Sequence, residues 1–306
     1  MTIPLLLPKD FLASANANQE KWSIEAAETY TRWLATSHYE NFHVVSFLLP
    51  KELHQDFYNV YAYCRWSDDL ADEIGDKTES LRLLAWWGGE LEALYAGTEP
   101  SNPVFVALQG TVARRNLPIE PFANLLKAFV QDQQVSRYED WASVFAYCEN
   151  SANPVGRLLL MLCGYHDTER FHLSDKICTG LQLANFWQDV SVDLGKNRIY
   201  IPLALLRKYG VSEGDVLERK DSKEFRDAMK DAVHVAHTLF EEGRPLIPTL
   251  NRRLALDIDL FVRGGVQVLK KVEAINYGVL LQRPKIGKFE RMWLLVRAFS
   301  AHAMRR

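Results

Sequence analysis

No run in this 306-residue chain approaches the roughly 18 apolar residues of a membrane-spanning helix. The opening Met1-Thr2-Ile3-Pro4-Leu5-Leu6-Leu7-Pro8 lacks the basic region and apolar length of a secretory signal. The four cysteines, Cys64, Cys148, Cys163 and Cys178, form no C-x-x-C pair, which argues against a disulfide framework and for thiols in a reducing compartment. A cytoplasmic protein is expected. There is no G-x-x-x-x-G-K-[ST] phosphate loop, no G-x-G-x-x-G turn after a strand, no G-x-S-x-G elbow and no H-E-x-x-H zinc pair. These absences count against P-loop nucleotide chemistry, nicotinamide binding, serine hydrolysis and zinc proteolysis. Period-2 apolar alternation is scarce, so a sheet protein is not expected. A net charge of −3 offers no whole-chain attraction to nucleic acid.

What the chain has is helical periodicity and 48% hydrophobic content, ample for a sizeable core. The pattern predicts helices over about 22–36, 51–74, 78–96, 103–116, 119–135, 140–164, 173–193, 221–243 and 252–280. Asn102-Pro103 reads as an N-cap with Pro at the first helical position, and Ser174 as an N-cap. Gly210 is expected to end a short helix begun near Leu203, and Pro154 to kink or interrupt the helix around it. No Pro/Gly/Ser linker divides the chain, so one all-α domain is expected over 1–306, with its core at about 22–285.

Two acidic clusters carry the functional signal: Asp68-Asp69-Leu70-Ala71-Asp72-Glu73 and Asp189-Val190-Ser191-Val192-Asp193. Helical geometry puts Asp68 above Asp72 and Asp189 above Asp193, each pair on one face. Stacked like charges destabilise a helix by a few tenths of a kcal/mol. A divalent cation would offset that, and Mg²⁺, which prefers hard oxygen ligands completed by phosphates, suits the arrangement. Tyr61, Arg65, Asp68 and Asp72 fall on one stripe; Gln182, Asn185, Asp189 and Asp193 fall on another. The second stripe runs amid Leu181, Leu183, Ala184, Phe186 and Trp187, which favours a polar site in an apolar interior.

In Tyr147-Cys148-Glu149-Asn150-Ser151-Ala152-Asn153-Pro154-Val155-Gly156-Arg157, small residues and a helix breaker admit either a ligand or a close-packed neighbour. Ser151 and Arg157 are the substrate-contact candidates there. The loop Asn197-Arg198-Ile199-Tyr200-Ile201-Pro202 directly follows the second acidic pair and is placed to cover it. From Arg283 to Arg306, seven Lys/Arg face one glutamate, a balance of +6 interleaved with Met292-Trp293-Leu294-Leu295-Val296 and Phe299. This basic amphipathic segment, 283–306, suits either packing on the body or a peripheral contact with the inner face of a membrane.

At these residues the chain resembles the squalene/phytoene synthase family, the trans-isoprenoid head-to-head synthases. The likeness runs through His38-Tyr39-Glu40-Asn41-Phe42, Tyr63–Glu73, Tyr147–Arg157, Gln182–Asp193 and Arg198–Pro202, in family order. The resemblance implies an all-α isoprenoid-synthase helical bundle around a central cavity, with Mg²⁺ held against an isoprenoid diphosphate. It implies metal contacts from Asp68, Asp72, Asp189 and Asp193, assisted by Asn185. It places His38, Arg65, Gln182, Arg198 and Tyr200 near the diphosphate, Tyr147 by the reacting carbons and Tyr277 as a closure from the last long helix. Tyr61, Ser151 and Arg157 complete the substrate-binding set.

Ser151–Arg157 together with Asn185–Asp189 look like the bacterial hydroxysqualene synthase branch, tied to hopanoid biosynthesis. That branch implies a lyase that converts presqualene diphosphate to hydroxysqualene. Many condensing members carry Arg immediately before the first Asp of the second motif; here Gln188 stands there. The alternatives are a prenyltransferase joining two prenyl diphosphates and, lower, a non-catalytic helical partner of neighbouring pathway enzymes.

Overall fold

A computed structural model describes residues 5–14, 21–37, 50–285 and 287. Among them helices dominate, and the nearest approach to a sheet is one isolated parallel bridge, Arg137 to Ile199. The chain contacts divide into two compact units: residues 1–134 with 157–166, and residues 135–156 with 167–306.

The first unit contains α1 (Pro8–Ala13), α2 (Ile24–Ser37), α3 (His54–Asp72), α4 (Lys77–Tyr95), α5 (Pro103–Arg115) and α6 (Glu120–Asp132). Helix α3 is its hub and packs on α1, α2, α4, α5 and α6. An aromatic cluster fills the middle: Trp66 stacks on Trp87 at 4.8 Å, and Tyr63 meets Phe122 edge-on at 5.1 Å. The buried polar atoms of these rings are satisfied. Trp66 Nε1 donates to Tyr30 Oη, and Trp87 Nε1 donates to Ser67 Oγ. Burial works against an ionised Asp56, yet hydrogen bonds from Arg114, Arg115 and Thr111 hold its carboxyl below the usual range.

The second unit contains α7 (Trp141–Ser151), the start of α8 (Asn153–Leu162), α9 (Thr168–Asp193), α10 (Leu203–Lys208), α11 (Glu213–Leu217), α12 (Lys223–Gly243) and α13 (Arg252–Ala274). Helix α9 packs along both α12 and α13. Glycines let them approach closely. A Cβ on Gly243 would lie 2.5 Å from Ile177 and 3.0 Å from the Leu173 carbonyl, and one on Gly265 would lie 2.4 Å from Phe240.

Several boundaries differ from the sequence expectations. Helix α9 starts at Thr168, not near 173, because Asp167 accepts from the Arg170 amide and caps it. Ser174 is therefore a buried interior residue and not a cap. The stretch over 140–164 is interrupted around Pro154, as the sequence predicts: the break falls at Ala152, and Pro154 sits in the first turn of α8, where its missing N–H costs nothing. Helix α13 stops at Ala274 because Asn276 and Tyr277 turn left-handed, at φ 51° and 59°. Tyr277 thus follows the last long helix instead of belonging to it. Asn102 caps α5, and Gly210 closes the α10 segment at φ 75°, as the sequence predicts.

Asp257 on α13 is buried, and neither carboxylate oxygen has a partner among the described residues. Burial pushes its carboxyl up to about 7. The native state then binds more protons than the unfolded chain between about pH 4 and 7, so this group costs stability as pH rises through that window. Asp257→Leu should raise stability at pH 8 by roughly 1–3 kcal/mol and by less at pH 4, measured by chemical denaturation. Gly243→Ala should do the opposite at every pH, losing roughly 1–3 kcal/mol to overpacking against a backbone that cannot yield.

Candidate metal–diphosphate site

The first acidic motif occupies the last turn of α3. Arg65 forms its close ion pair with Asp69, at 2.6 Å, and stands 3.5 Å from Asp68. The stripe expected from spacing runs along one helix with Arg65 near Asp68, but the closer partner of Arg65 is Asp69, the buried acid outside the stripe, while the Asp68 side chain is 48% exposed and Asp72 is exposed. Burial pushes the Asp69 carboxyl up to about 6; Arg65 opposes the shift, and Asp68 and Glu73 add to it. Tyr61 lies part-buried one turn before Arg65. Asp69 was missed by the spacing argument, which looked only for acids sharing one face. The signal that points to it is Arg65 four residues earlier.

The second motif closes α9. Burial raises the Asp193 carboxyl to about 6, and the Asp189 charge one turn before raises it further; Arg198, Lys196 and Arg283 pull it down. Arg283 is the direct counter-ion of Asp189, with Nε 2.6 Å from Oδ1 and Nη2 3.1 Å from Oδ2. Gln188, the preceding residue, donates from Nε2 to the Pro284 carbonyl at 2.8 Å. Arg283 was read as part of the basic tail and not of the site. Gln182 is part-buried and Asn185 exposed on the same helix.

The loop after the motif is held by backbone pairing. Arg198 N donates to the Asp193 carbonyl, Ile199 N to the Ser136 carbonyl and Leu203 N to the Tyr138 carbonyl, each at 2.9 Å. Arg137 clasps Asn197 through its carbonyl and side chain, and binds Glu213 at 2.7 Å. This seats Tyr200 face-on against Phe186, centroids 3.8 Å apart and planes 6° apart. Tyr138 and Tyr147 complete a tetrad, each within 6.0 Å of the Tyr200 ring. Tyr138 was not anticipated, because nothing in its local sequence links it to residue 200. A cavity of about 10 Å³ beside Arg198, Asp193 and Phe186 has room for no more than a single water.

Of the small-residue stretch, Ser151 Oγ is buried and finds no partner among the described residues. Asn153 accepts from Thr179 Oγ1 at 2.9 Å. Gly156 serves packing: a Cβ there would lie 2.4 Å from Ser174 Oγ and 2.5 Å from Cys178 Sγ. Arg157 is part-buried in the first unit, and Tyr277 is part-buried in the second. His38 and residues 288–306, most of the basic segment, lie outside the described residues. No helix of the described residues is long and apolar enough to cross a membrane.

The donor chemistry suits Mg²⁺. Among the described residues no three His, Cys, Asp or Glu side chains converge into a ready-made cage. Paired carboxylates do stand at the end of each acidic helix, and Mg²⁺ is commonly held by one or two carboxylates completed by substrate phosphates. The Asp193 carboxyl is raised by burial first and by the Asp189 charge second, against the pull of Arg198, Lys196 and Arg283.

Comparison with known proteins agrees with this architecture. The squalene/phytoene synthase family model matches residues 35–290. A phytoene synthase of Thermus thermophilus is 31% identical over 266 residues, covering 87% of this chain and 90% of that protein. A hydroxysqualene synthase of Rhodopseudomonas palustris is 31% identical over 237 residues, covering 76% and 80%. Among solved structures, squalene synthase HpnC of Alicyclobacillus acidocaldarius is 41% identical with a TM-score of 0.79, covering 83% of this chain and 95% of that one. A dehydrosqualene synthase, 22% identical, superposes with a TM-score of 0.81 over 92% and 98%, a likeness of fold. The protein belongs to the squalene/phytoene synthase family and has its all-α isoprenoid-synthase fold.

The raised Asp193 carboxyl has a consequence for stability without metal. A native pKa above the unfolded value makes the folded state bind the extra proton, so stability falls as pH rises from about 4 through 6. Asp193→Asn should remove that slope and melt at a higher temperature than wild type at pH 7.5 in EDTA. A lower melting temperature across the whole range would contradict the crowding of Asp189 and Asp193.

Proposed function

We propose that this enzyme ionises an isoprenoid diphosphate with Mg²⁺, taking presqualene diphosphate to hydroxysqualene. The observation that carries the reading is the joining, within one unit, of the Asp189–Asp193 pair to the aromatic tetrad of Tyr138, Tyr147, Phe186 and Tyr200. Asp68 and Asp72 on α3, and Asp189 and Asp193 with Asn185 on α9, are the proposed metal-holding residues. Magnesium, when bound, supplies the positive charge that stabilises departing diphosphate.

The chain's own residues do the rest. Arg65, Gln182, Arg198 and Tyr200, with His38, Tyr61 and Arg157, bind and orient the diphosphate end. The carbon–oxygen bond breaks heterolytically, diphosphate leaves with the electron pair, and positive charge appears on carbon. Aromatic faces stabilise such a cation, and a dry surround prevents its premature capture. Tyr147 faces the reacting carbons, and Tyr277 closes the site. The Ser151 hydroxyl, buried without a partner among the described residues, is a donor suited to a ligand or an ordered water. After rearrangement, one water adds to carbon and loses a proton, giving the alcohol.

Hydroxysqualene synthases at 31% and 32% identity support the lyase reading. A phytoene synthase at 31% identity supports a second one, a prenyltransferase that condenses two prenyl diphosphates. The same aspartates serve both reactions. A cytoplasmic location, with peripheral contact at the inner membrane face through the basic terminus, fits a lipid diphosphate substrate. Place in hopanoid synthesis follows from the lyase reading alone.

Purified protein with Mg²⁺ should consume labelled presqualene diphosphate and release hydroxysqualene, identified by mass spectrometry. Presqualene diphosphate left unconsumed while farnesyl or geranylgeranyl diphosphate is condensed would establish the second reading instead. Asp68→Asn and Asp189→Asn should each lower turnover at least about tenfold, some 1.4 kcal/mol of barrier, without loss of helical content.

A further inference from the structure

The stretch after α13 is a built element. Ala274 ends the helix, and Asn276 and Tyr277, at φ 51° and 59°, turn the chain sharply. Val279 and Leu280 then bury fully. Arg219, itself left-handed at φ 56°, reaches two backbone segments with one guanidinium: Nη1 donates to the Leu280 carbonyl at 3.0 Å and Nη2 to the Ser191 carbonyl at 2.9 Å. Beyond it, Gln188 Nε2 holds the Pro284 carbonyl at 2.8 Å. Between these fasteners, Arg283 makes its two-pronged pair with Asp189. Adjacent residues of α9 thus meet adjacent residues of the arm, Gln188 on Pro284 and Asp189 on Arg283.

We infer that residues 275–284 form a counter-ion arm, in which Gln188 and Arg219 are positioning residues that seat the Arg283 guanidinium on Asp189, and that a divalent cation has to displace this guanidinium to engage Asp189. The inference rests on the metal assignment made above and adds a competitor for it. A forked guanidinium occupies both carboxylate oxygens, whereas Mg²⁺ requires short oxygen contacts in strict geometry. Two cations on one carboxylate repel each other. Position 188 therefore acts through the arm: its amide donor fixes where Arg283 lies. The site does not lack a guanidinium beside the second motif; it takes one from a residue 94 positions away.

The test is a Mn²⁺ titration followed by electron paramagnetic resonance of the free ion, with and without inorganic diphosphate. It compares wild type, Arg283→Gln, Arg283→Lys, Gln188→Met and Asp189→Asn, each checked for folding by circular dichroism. Without diphosphate, Arg283→Gln should bind Mn²⁺ roughly two- to fivefold more tightly, the scale of releasing a half-exposed ion pair. Arg283→Lys, which keeps the charge without the fork, should fall between. Gln188→Met keeps the shape and removes the donor; it should shift affinity in the same direction and speed tryptic cleavage after Lys285. A merely structural Gln188 would lower melting temperature without moving Mn²⁺ affinity. Equal affinity in wild type, Arg283→Gln and Gln188→Met, with Asp189→Asn still weakened, overturns the arm and leaves the metal assignment standing. Unchanged binding in Asp189→Asn overturns both.

Discussion

Asp189 and Asp193, one helical turn apart at the end of α9, form a pair of like charges that the protein alone only partly balances. The Arg283 fork neutralises the first, while the second keeps a carboxyl raised to about 6 by burial and by its neighbour. A helix end already carries partial negative charge, so acids in the last turn run against the macrodipole as well. The surrounding construction holds this unfavourable placement in position. Helix α9 is held by packing so close that a Cβ on Gly243 or Gly265 finds no room. The loop after it is stitched to residues 136–138, and the arm after α13 returns to the same turn.

The first acidic motif solves a similar problem differently. Arg65 lies on the same helix as its partner Asp69, four residues away, so the counter-charge is built in locally. The acid it holds is the buried one, which leaves Asp68 and Asp72 toward solvent. In the first unit the arginine is tied to Asp69, beside the proposed metal-holding pair; in the second it is tied to Asp189, a member of the proposed pair itself. The proposed chemistry, loss of diphosphate from carbon, would draw on cation-binding oxygens and nearby aromatic faces.

The division of labour between packing and chemistry is visible in the stretch 147–157. Gly156 is small because Ser174 and Cys178 leave no room for a side chain. Asn153 is spoken for by Thr179. Ser151 retains a buried hydroxyl with no partner among the described residues, and Tyr147 joins the aromatic tetrad. A short run that reads uniformly as small and polar thus separates, residue by residue, into scaffold and proposed site.

Helix content, the positions of most helices, the Asn102 cap and the two acid pairs were legible in the chain itself, because periodicity and capping act over a few residues. The starts and stops that were misread share a cause: Ser174 looks like a cap until tertiary packing buries it, and Tyr277 looks helical until Asn276 turns left-handed. What only the folded structure decided are contacts between residues far apart in sequence. Tyr138 beside Tyr200, Gln188 on Pro284 and Arg283 on Asp189 are separated by 62, 96 and 94 positions. No local pattern encodes such pairings; they exist because the helices pack in one arrangement and carry their loops with them.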